Sequence, residues 1–287
     1  MKLKTALLGA VAAMVLAPAA HAERGADGEV KVFYYQAVST LNAYLSSGTK
    51  DVEAGSLVLE PLAGFDQDGN LFPRLAADIP TAENGGVAAD LTSITWKLKE
   101  GLVWSDGTPV TSADVKFTWE YCTHPEGGCA QGAKYEGVKS IDTPDDLTVV
   151  VNFEGPKPYP YQPFTGGTAP ILQKAQFEAC LGAAAASCVE QNSKPVGTGP
   201  FIVTDFKVND VVTLEANPNY RDPAKPAFAK VTLKGGGDAL AAASAVMETG
   251  EFDYAWNTQI NPEQQAQMEA GGKGTFVNAF GTLVERI

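Results

Sequence analysis

Histidine is almost missing from the sequence, which has only His21 and His124 among its 287 residues. A Ser-His-Asp triad would have to use one of these two side chains, and no Gly-x-Ser-x-Gly motif is present. No pair among the 34 acidic residues stands out as a general acid and base. We therefore predict a protein that is not an enzyme and that holds neither a metal nor a cofactor.

Basic residues are also in short supply, with 21 lysines and arginines against 34 acids and a net charge of −13. A field of this sign repels phosphate backbones, so nucleic acid is excluded as an expected partner. The charge favours solubility. Exposed charges are screened within about 8 Å at physiological salt, so net charge alone does not identify a ligand.

Long hydrophobic runs are limited to one, at residues 6–17, which follows Lys2 and Lys4 and precedes the small-residue site AHA at residues 20–22. This order predicts a cleaved secretory signal peptide over residues 1–22. The run is short for a membrane span, and no second hydrophobic segment follows it. We expect a soluble periplasmic protein, whose net charge becomes −15 when the two signal lysines are removed.

Cysteine is limited to four residues, which fall in two close pairs: Cys122 with Cys129, and Cys180 with Cys188. Disulfides form in an oxidising compartment, and four cysteines permit three connectivities. The short loops favour the two sequential pairings. The alternative, a metal site around Cys122 and His124, lacks the repeated close-spaced ligands of structural zinc sites.

Alternating strands and helices predict an α/β protein. A helix is expected at residues 52–62, a turn at 66–70, a proline-rich connector at 155–163 and an alanine-rich helix at 238–249. Strands are expected at residues 29–36, 94–99, 138–141, 147–153, 201–205, 211–216, 228–233 and 252–256.

Residues 92–120 contain three local structures in succession. Apolar and polar side chains alternate from residue 94 to 99, the period of a half-buried strand. The sequence SDGTP at residues 105–109 then supplies turn formers. Thr111 and Asp114 follow as a capping box ahead of apolar residues at helical spacing. The segment predicts a strand, a turn and a capped helix.

The order of residues in this segment resembles the one shared by family 5 extracellular solute-binding proteins, the peptide and oligopeptide receptors of ABC importers. Further pieces follow the family's order: LEPL and DGNLFPRLA within residues 59–76, DDLTV at 145–149, GTGPF at 197–201 and GEFD at 250–253. The resemblance covers nearly the whole chain after the predicted signal peptide.

The resemblance implies a periplasmic-binding-protein-like clamp of type II, with two lobes and an extra inserted subdomain. Residues 23–65 and 155–257 would form the α/β subdomain of the first lobe, and residues 66–154 the inserted subdomain. Residues 258–287 would begin the second lobe, which is expected to be largely absent from this sequence because it stops at Ile287.

The resemblance also implies ligand-binding residues in the loop after the first strand. Ser46, Ser47 and Gly48 match the part of the family loop whose small hydroxyl residues face the ligand. Ala43 replaces the family's proline in this loop. The alternative is that the hydroxyl groups cap the helix that follows Lys50.

A second set of expected binding residues lies in the strand that crosses between lobes. Tyr254, Trp256 and Asn257 match this strand, where Tyr and Trp would bury an apolar side chain while donating a hydrogen bond. The alternative is that both aromatic residues belong to the core of an ordinary strand.

The function implied by the resemblance is the capture of a peptide or similar small solute in the periplasm by a monomer. The protein would deliver it to the permease and ATPase subunits of an ABC transporter at the inner membrane. The alternative from another class is a ligand-sensing periplasmic receptor that signals to a membrane partner without transport.

Overall fold

The computed structural model describes residues 23–278. The expected signal peptide and the end of the chain, residues 1–22 and 279–287, lie outside the described residues. Within the described part, no helix is both long and apolar enough to cross a membrane.

Strands outnumber α-helices along residues 23–278. The strands are β1 (Glu29–Tyr34), β2 (Ala63–Phe65), β3 (Leu71–Pro73), β4 (Ser93–Lys97), β5 (Val138–Asp145), β6 (Thr148–Phe153), β7 (Phe201–Lys207), β8 (Val211–Ala216), β9 (Lys230–Gly235) and β10 (Tyr254–Trp256). The α-helices are α1 (Thr49–Gly55), α2 (Ser112–Thr123), α3 (Lys174–Phe177), α4 (Val189–Ser193), α5 (Ala239–Met247) and α6 (Pro262–Glu269).

A five-stranded sheet has the order β10-β1-β9-β8-β7. Strand β1 runs parallel to both β9 and β10, whereas β8 is antiparallel to β9 and to β7. Because side chains alternate along a strand, one face of the sheet buries Tyr34, Val212, Leu214, Val231 and Leu233 in a common core. The other face is partly covered by α5, which packs Ala242 and Ala245 against Phe33.

A separate three-stranded antiparallel sheet has the order β4-β6-β5, and α2 packs against β5 and β6. The predicted capping box is present at the start of α2: the Thr111 amide donates to the Asp114 carboxylate at 2.9 Å. Trp96 and Tyr121 are buried in the core between sheet and helix. The prediction of strand, turn and capped helix is confirmed.

Two disulfides cross-link the chain close to this second sheet. Cys122 at the end of α2 is bonded to Cys129, with a Cα–Cα distance of 5.1 Å. Cys180 is bonded to Cys188, with a Cα–Cα distance of 5.8 Å. The structure therefore contains the two sequential pairings, and all four sulfur atoms belong to the large core cluster or pack against it.

The helix predicted at residues 52–62 is misplaced. The helix α1 ends at Gly55, where an added Cβ would lie 2.6 Å from the Leu41 carbonyl oxygen, so the chain here needs a glycine. Beyond Gly55 the chain turns, and Leu59 and Leu62 enter the large core as non-helical residues. These leucines are apolar because they are buried in a turn and a loop. In the sequence, their spacing looks like that of one face of a helix, so the periodicity predicted a helix here.

Candidate ligand-binding site

The candidate site lies at one edge of the five-stranded sheet. The parallel strands β1, β9 and β10 end there at Tyr34, Gly235 and Trp256, which are paired in register. In open α/β sheets, ligands bind beyond the carboxyl ends of the parallel strands, where loops present side chains and free amides. We refer to this region as the carboxyl edge.

Aromatic rings cluster at the carboxyl edge. The Trp256 ring meets the edge of Tyr34 at 5.0 Å between centroids and lies nearly parallel to Tyr35 at 6.2 Å. Tyr254, on the same strand, is 54% exposed. Trp256 and Tyr35 are half-buried. These rings offer apolar surface together with N–H and O–H groups, a combination suited to binding part of a small molecule.

Asn257 directly follows β10 and lies in the left-handed region, with φ of 52° and an exposed side chain. Asparagine tolerates this conformation better than most residues. The chain bends at this residue, just after Trp256. The structure thus places Tyr254, Trp256 and Asn257 together at the carboxyl edge.

The hydroxyl group of Ser46 is engaged within the protein. It donates to the Asp51 carboxylate at 2.7 Å and accepts a hydrogen bond from the Gly48 amide at 3.0 Å. Gly48 is the N-cap residue of α1, while Ser47 is exposed. The Ser46 hydroxyl is thus occupied by Asp51 and by the Gly48 amide, although no side chain caps α1 at its N-cap. Ser47 is the member of the pair that is exposed to solvent.

Asp51 lies at the centre of this hydrogen-bonded loop. The Ser39 amide and hydroxyl donate to its carboxylate at 2.7 and 2.8 Å, and Lys50 Nζ does so at 2.9 Å. Burial acts to raise the pKa of Asp51, but the hydrogen bonds from Lys50, Ser39 and Ser46 outweigh it and lower the pKa. This carboxylate fixes the loop that leads from β1 into α1.

Three residues at this edge were missed by the sequence argument: Tyr34, Tyr35 and Glu53. The pair of tyrosines near the end of the predicted strand at residues 29–36 was an available signal, because ligands bind beyond the carboxyl ends of parallel strands. Glu53 gave no signal, since only the packing of α1 brings it near β1. Burial raises the pKa of Glu53. Burial, and then the negative charge of Glu53, raise the pKa of the Tyr34 phenol.

A glycine-rich segment completes the edge after β9. An added Cβ on Gly235 would lie 2.2 Å from Ala37 Cα, so the chain after β1 passes directly over this residue. Gly236 and Gly237 then adopt φ of 94° and 126°, which glycine reaches without strain. Asp238 follows as the N-cap of α5 and accepts from the Ala241 amide. The segment is a strand-to-helix joint with a specific shape.

A cleft of about 370 Å³ lies on the opposite face of the sheet, beside α5. Phe33 and Phe252 line it, with Lys31 and Lys234 at its polar side. None of the six binding residues predicted from the sequence lines this cleft. The cleft is therefore separate from the aromatic cluster at the carboxyl edge.

A mixed α/β sheet whose carboxyl edge carries partly exposed aromatic side chains is suited to binding a small solute. The family model for bacterial extracellular solute-binding proteins, family 5 (middle), matches residues 71–283, and the chain belongs to this family. The family prediction from the sequence motifs is confirmed.

Similar proteins agree with this assignment. Protein XP55 of Streptomyces lividans is 30% identical over 191 residues, which cover 61% of this chain and 32% of that protein. The oligopeptide-binding protein AppA of Bacillus subtilis is 28% identical over 217 residues, which cover 74% of this chain and 38% of AppA.

A solved structure of AppA in complex with a nonapeptide matches with a TM-score of 0.74 at 22% identity, over 86% of this chain and 46% of that one. The match shows the fold, that of the two-lobed periplasmic binding proteins with mixed α/β sheets, as the sequence resemblance implied. The chain spans less than half the length of these relatives.

Proposed function

We propose that the protein is the periplasmic substrate-binding component of an ABC transporter, which captures a peptide or similar small solute and delivers it to an inner-membrane permease. The observation that carries the proposal is the carboxyl edge, where Trp256, Tyr254 and Tyr35 remain partly open to solvent. The similarity to an oligopeptide-binding protein supports peptides as the ligand class.

The proposed mechanism is hinge closure, in which a ligand that contacts both lobes shifts an open-to-closed equilibrium. The carboxyl edge would supply the contacts from the first lobe. Ser47 and Gly48 would contribute polar groups, and the aromatic cluster would contribute apolar area. The role is to bind and release the solute unchanged, and the expected state is a monomer that docks on the permease and its ATPase.

The division into subdomains is part of the proposal. The strands of the five-stranded sheet come only from residues 23–65 and 155–257, and those of the three-stranded sheet only from residues 66–154. This segregation supports the inserted subdomain. The two parts share one core, because Leu59 and Leu62 from the first part pack in the same cluster as Trp96 from the second.

Tryptophan fluorescence can test the proposal, because Trp256 lies at the carboxyl edge whereas Trp96 and Trp104 are buried elsewhere. Titration with short peptides should change the emission of the wild-type protein. The change should disappear in Trp256→Phe and persist in Trp119→Phe, a matched control on α2. If no peptide is bound by calorimetry, or if the response persists in Trp256→Phe, the proposal fails.

A further inference from the structure

One guanidinium group ties the amino-terminal end of the described chain to a distant loop. Arginine carries five N–H groups in a planar fork, and in Arg24 each nitrogen uses all of its N–H groups as donors to backbone carbonyl oxygens. Nε donates at 2.7 Å, Nη1 at 2.8 and 2.6 Å, and Nη2 at 2.7 and 2.9 Å. The acceptors, in the same order, are the carbonyl groups of Lys225, Asn217, Pro218, Tyr220 and Asp222.

The five acceptors belong to one loop, residues 217–225, which connects β8 to β9. Carbonyl oxygens that converge on one group surround it with the negative ends of their dipoles, which favours a cation. These oxygens are arranged along the edge of a planar fork, a shape that an ammonium group does not match. The carboxylate of Asp222 takes no part, since it accepts from the Ala224 amide and pairs with Lys225. Recognition of the cation therefore comes from the main chain of the loop.

The loop lies at the opposite edge of the five-stranded sheet from the carboxyl edge. Arg24 precedes β1 and the loop precedes β9, and these two strands run parallel, so both begin at the same edge. The main chain strengthens the contact there, because the Gly25 amide donates to the Pro226 carbonyl at 2.9 Å. The arrangement is thus separate from the candidate ligand-binding site.

The same loop also contacts two other segments of the protein. Arg221 donates to both carboxylate oxygens of Glu60, at 2.5 and 2.8 Å, and Glu60 is only 3% exposed. The Asn219 side-chain amide donates to the Ser105 carbonyl at 3.0 Å, in the turn that precedes α2. A change in the shape of the loop would disturb both contacts, so the group that fixes this shape also controls them.

We propose that the 217–225 loop is a guanidinium-binding site that the protein fills with its own Arg24, and that this side chain holds the loop against Glu60 and Ser105. Hydrogen bonds from a charged donor contribute more to stability than those between neutral groups. Arg24 is accordingly a positioning residue. The inference does not depend on the proposed function, and its failure would leave peptide capture unaffected.

Chemical rescue tests the site, because removal of the side chain leaves the carbonyl groups of the loop open to a soluble guanidinium ion. Arg24→Ala should lower the melting temperature by about 5 °C, and about 20 mM guanidinium chloride should recover at least half of this loss. Methylammonium chloride at the same concentration has equal charge but no planar fork, and should recover little. The control Lys139→Ala, at an exposed position of β5, should melt within about 1 °C of wild type with or without guanidinium.

Arg24→Lys separates charge from shape. Lysine keeps the positive charge but has only three N–H donors and no fork, so this variant should lose at least half as much stability as Arg24→Ala. A melting temperature equal to that of wild type would show that charge alone is sufficient, and the guanidinium site would be excluded.

Hydrogen exchange shows whether the effect lies at the loop. The Tyr220 and Lys225 amides donate within the loop, and the Ser105 amide lies beside the Asn219 contact. In Arg24→Ala these three amides should exchange at least about 10-fold faster than in wild type, and guanidinium should slow them again. Amides of the three-stranded sheet should change less than about two-fold.

Three results would overturn the proposal: unchanged melting and exchange in Arg24→Ala, equal rescue by methylammonium, or no rescue by guanidinium. Faster exchange in the loop without a change at Ser105 would overturn the role of Arg24 in that contact. If Arg24→Ala does not fold by itself, refolding in each salt decides the question. Recovery of folded protein in guanidinium alone would support the site, and equal or no recovery in both salts would exclude it.

Discussion

The two larger sheets of the protein use aromatic side chains in opposite ways. Around the three-stranded sheet, Trp96, Trp104 and Tyr121 are at most 2% exposed and fill the core. At the carboxyl edge of the five-stranded sheet, Tyr254 is 54% exposed and Trp256 is only half-buried. The same residue types stabilise the fold in one region and present a surface to ligands in the other, so position in the topology decides their role.

The largest expected effect on stability comes from replacing one tryptophan in each of the two regions by alanine. Trp96→Ala should lower the free energy of unfolding by about 4 kcal/mol, because it empties a fully buried site. Trp256→Ala should cost less than about 1.5 kcal/mol, since its ring is partly in water already. Urea unfolding followed by circular dichroism measures both, and equal losses would contradict the division of roles.

A second comparison concerns ion pairs. Arg221→Met should cost about 3 kcal/mol, because it strips Glu60 of the cation that donates to both of its oxygens in a buried setting. Lys207→Met is the matched control, since its pair with Asp205 spans 3.9 Å and both side chains are more than half exposed. Lys207→Met should change the unfolding free energy by less than about 0.5 kcal/mol. Similar losses of unfolding free energy in both variants would show that burial does not strengthen the Arg221–Glu60 pair.

Both disulfides lie around the three-stranded sheet and not at the carboxyl edge. Their removal should therefore lower the stability of the protein without changing peptide binding. Each double variant, Cys122→Ser with Cys129→Ser or Cys180→Ser with Cys188→Ser, should lose about 2.5 kcal/mol of stability on the chain-entropy model for such short loops. The peptide-dependent fluorescence of Trp256 should persist in both while they remain folded. Loss of that response in a folded variant would show that the two regions are coupled.

The smallest expected effects come from pH and the two acids of α1. The pKa of Asp51 is lowered below its ordinary 3.8, so its stabilising contribution is present above about pH 4 and is lost as the pH falls through the folded-state pKa. Asp51→Asn should cost about 2 kcal/mol at pH 7 through weakened charge-assisted hydrogen bonds, and should flatten this acid dependence.

The contribution of Glu53 to stability should change with pH in the opposite direction to that of Asp51. Its pKa is raised above its ordinary 4.5, so its contribution to stability is greatest below pH 4.5 and is lost as the pH rises through the folded-state pKa. Unfolding curves between pH 3 and pH 7 for wild type, Asp51→Asn and Glu53→Gln measure both slopes. The difference in unfolding free energy between wild type and variant should grow with pH for Asp51→Asn and fall with pH for Glu53→Gln. Differences that change in the same direction would refute the assigned surroundings.

The sequence predicted best those elements whose signals are local. The capped helix α2 was predicted because Thr111 and Asp114 are three residues apart, and the strands because alternation is visible within a few residues. The sequential disulfides likewise follow from short spacing. In each case the interacting groups are close together in the chain.

The sequence failed where distant segments decide the structure. The end of α1 at Gly55 depends on the Leu41 carbonyl group, which lies on another segment. The position of Glu53 beside Tyr34 depends on how α1 packs against the core. The two alternatives for Ser46, facing a ligand or capping α1, could not be separated in the sequence, because the hydrogen bond from its hydroxyl group to Asp51 depends on how the loop folds against α1. Such contacts require the folded topology.

The most direct test of the account is a titration of the ¹⁵N-labelled protein with trialanine, followed through its backbone amide resonances. We expect shift changes confined to the carboxyl edge: residues 34–37, residues 46–48, Gly235 to Gly237 and residues 254–257. Changes centred on the three-stranded sheet, on the cleft beside α5, or nowhere at millimolar peptide would contradict it.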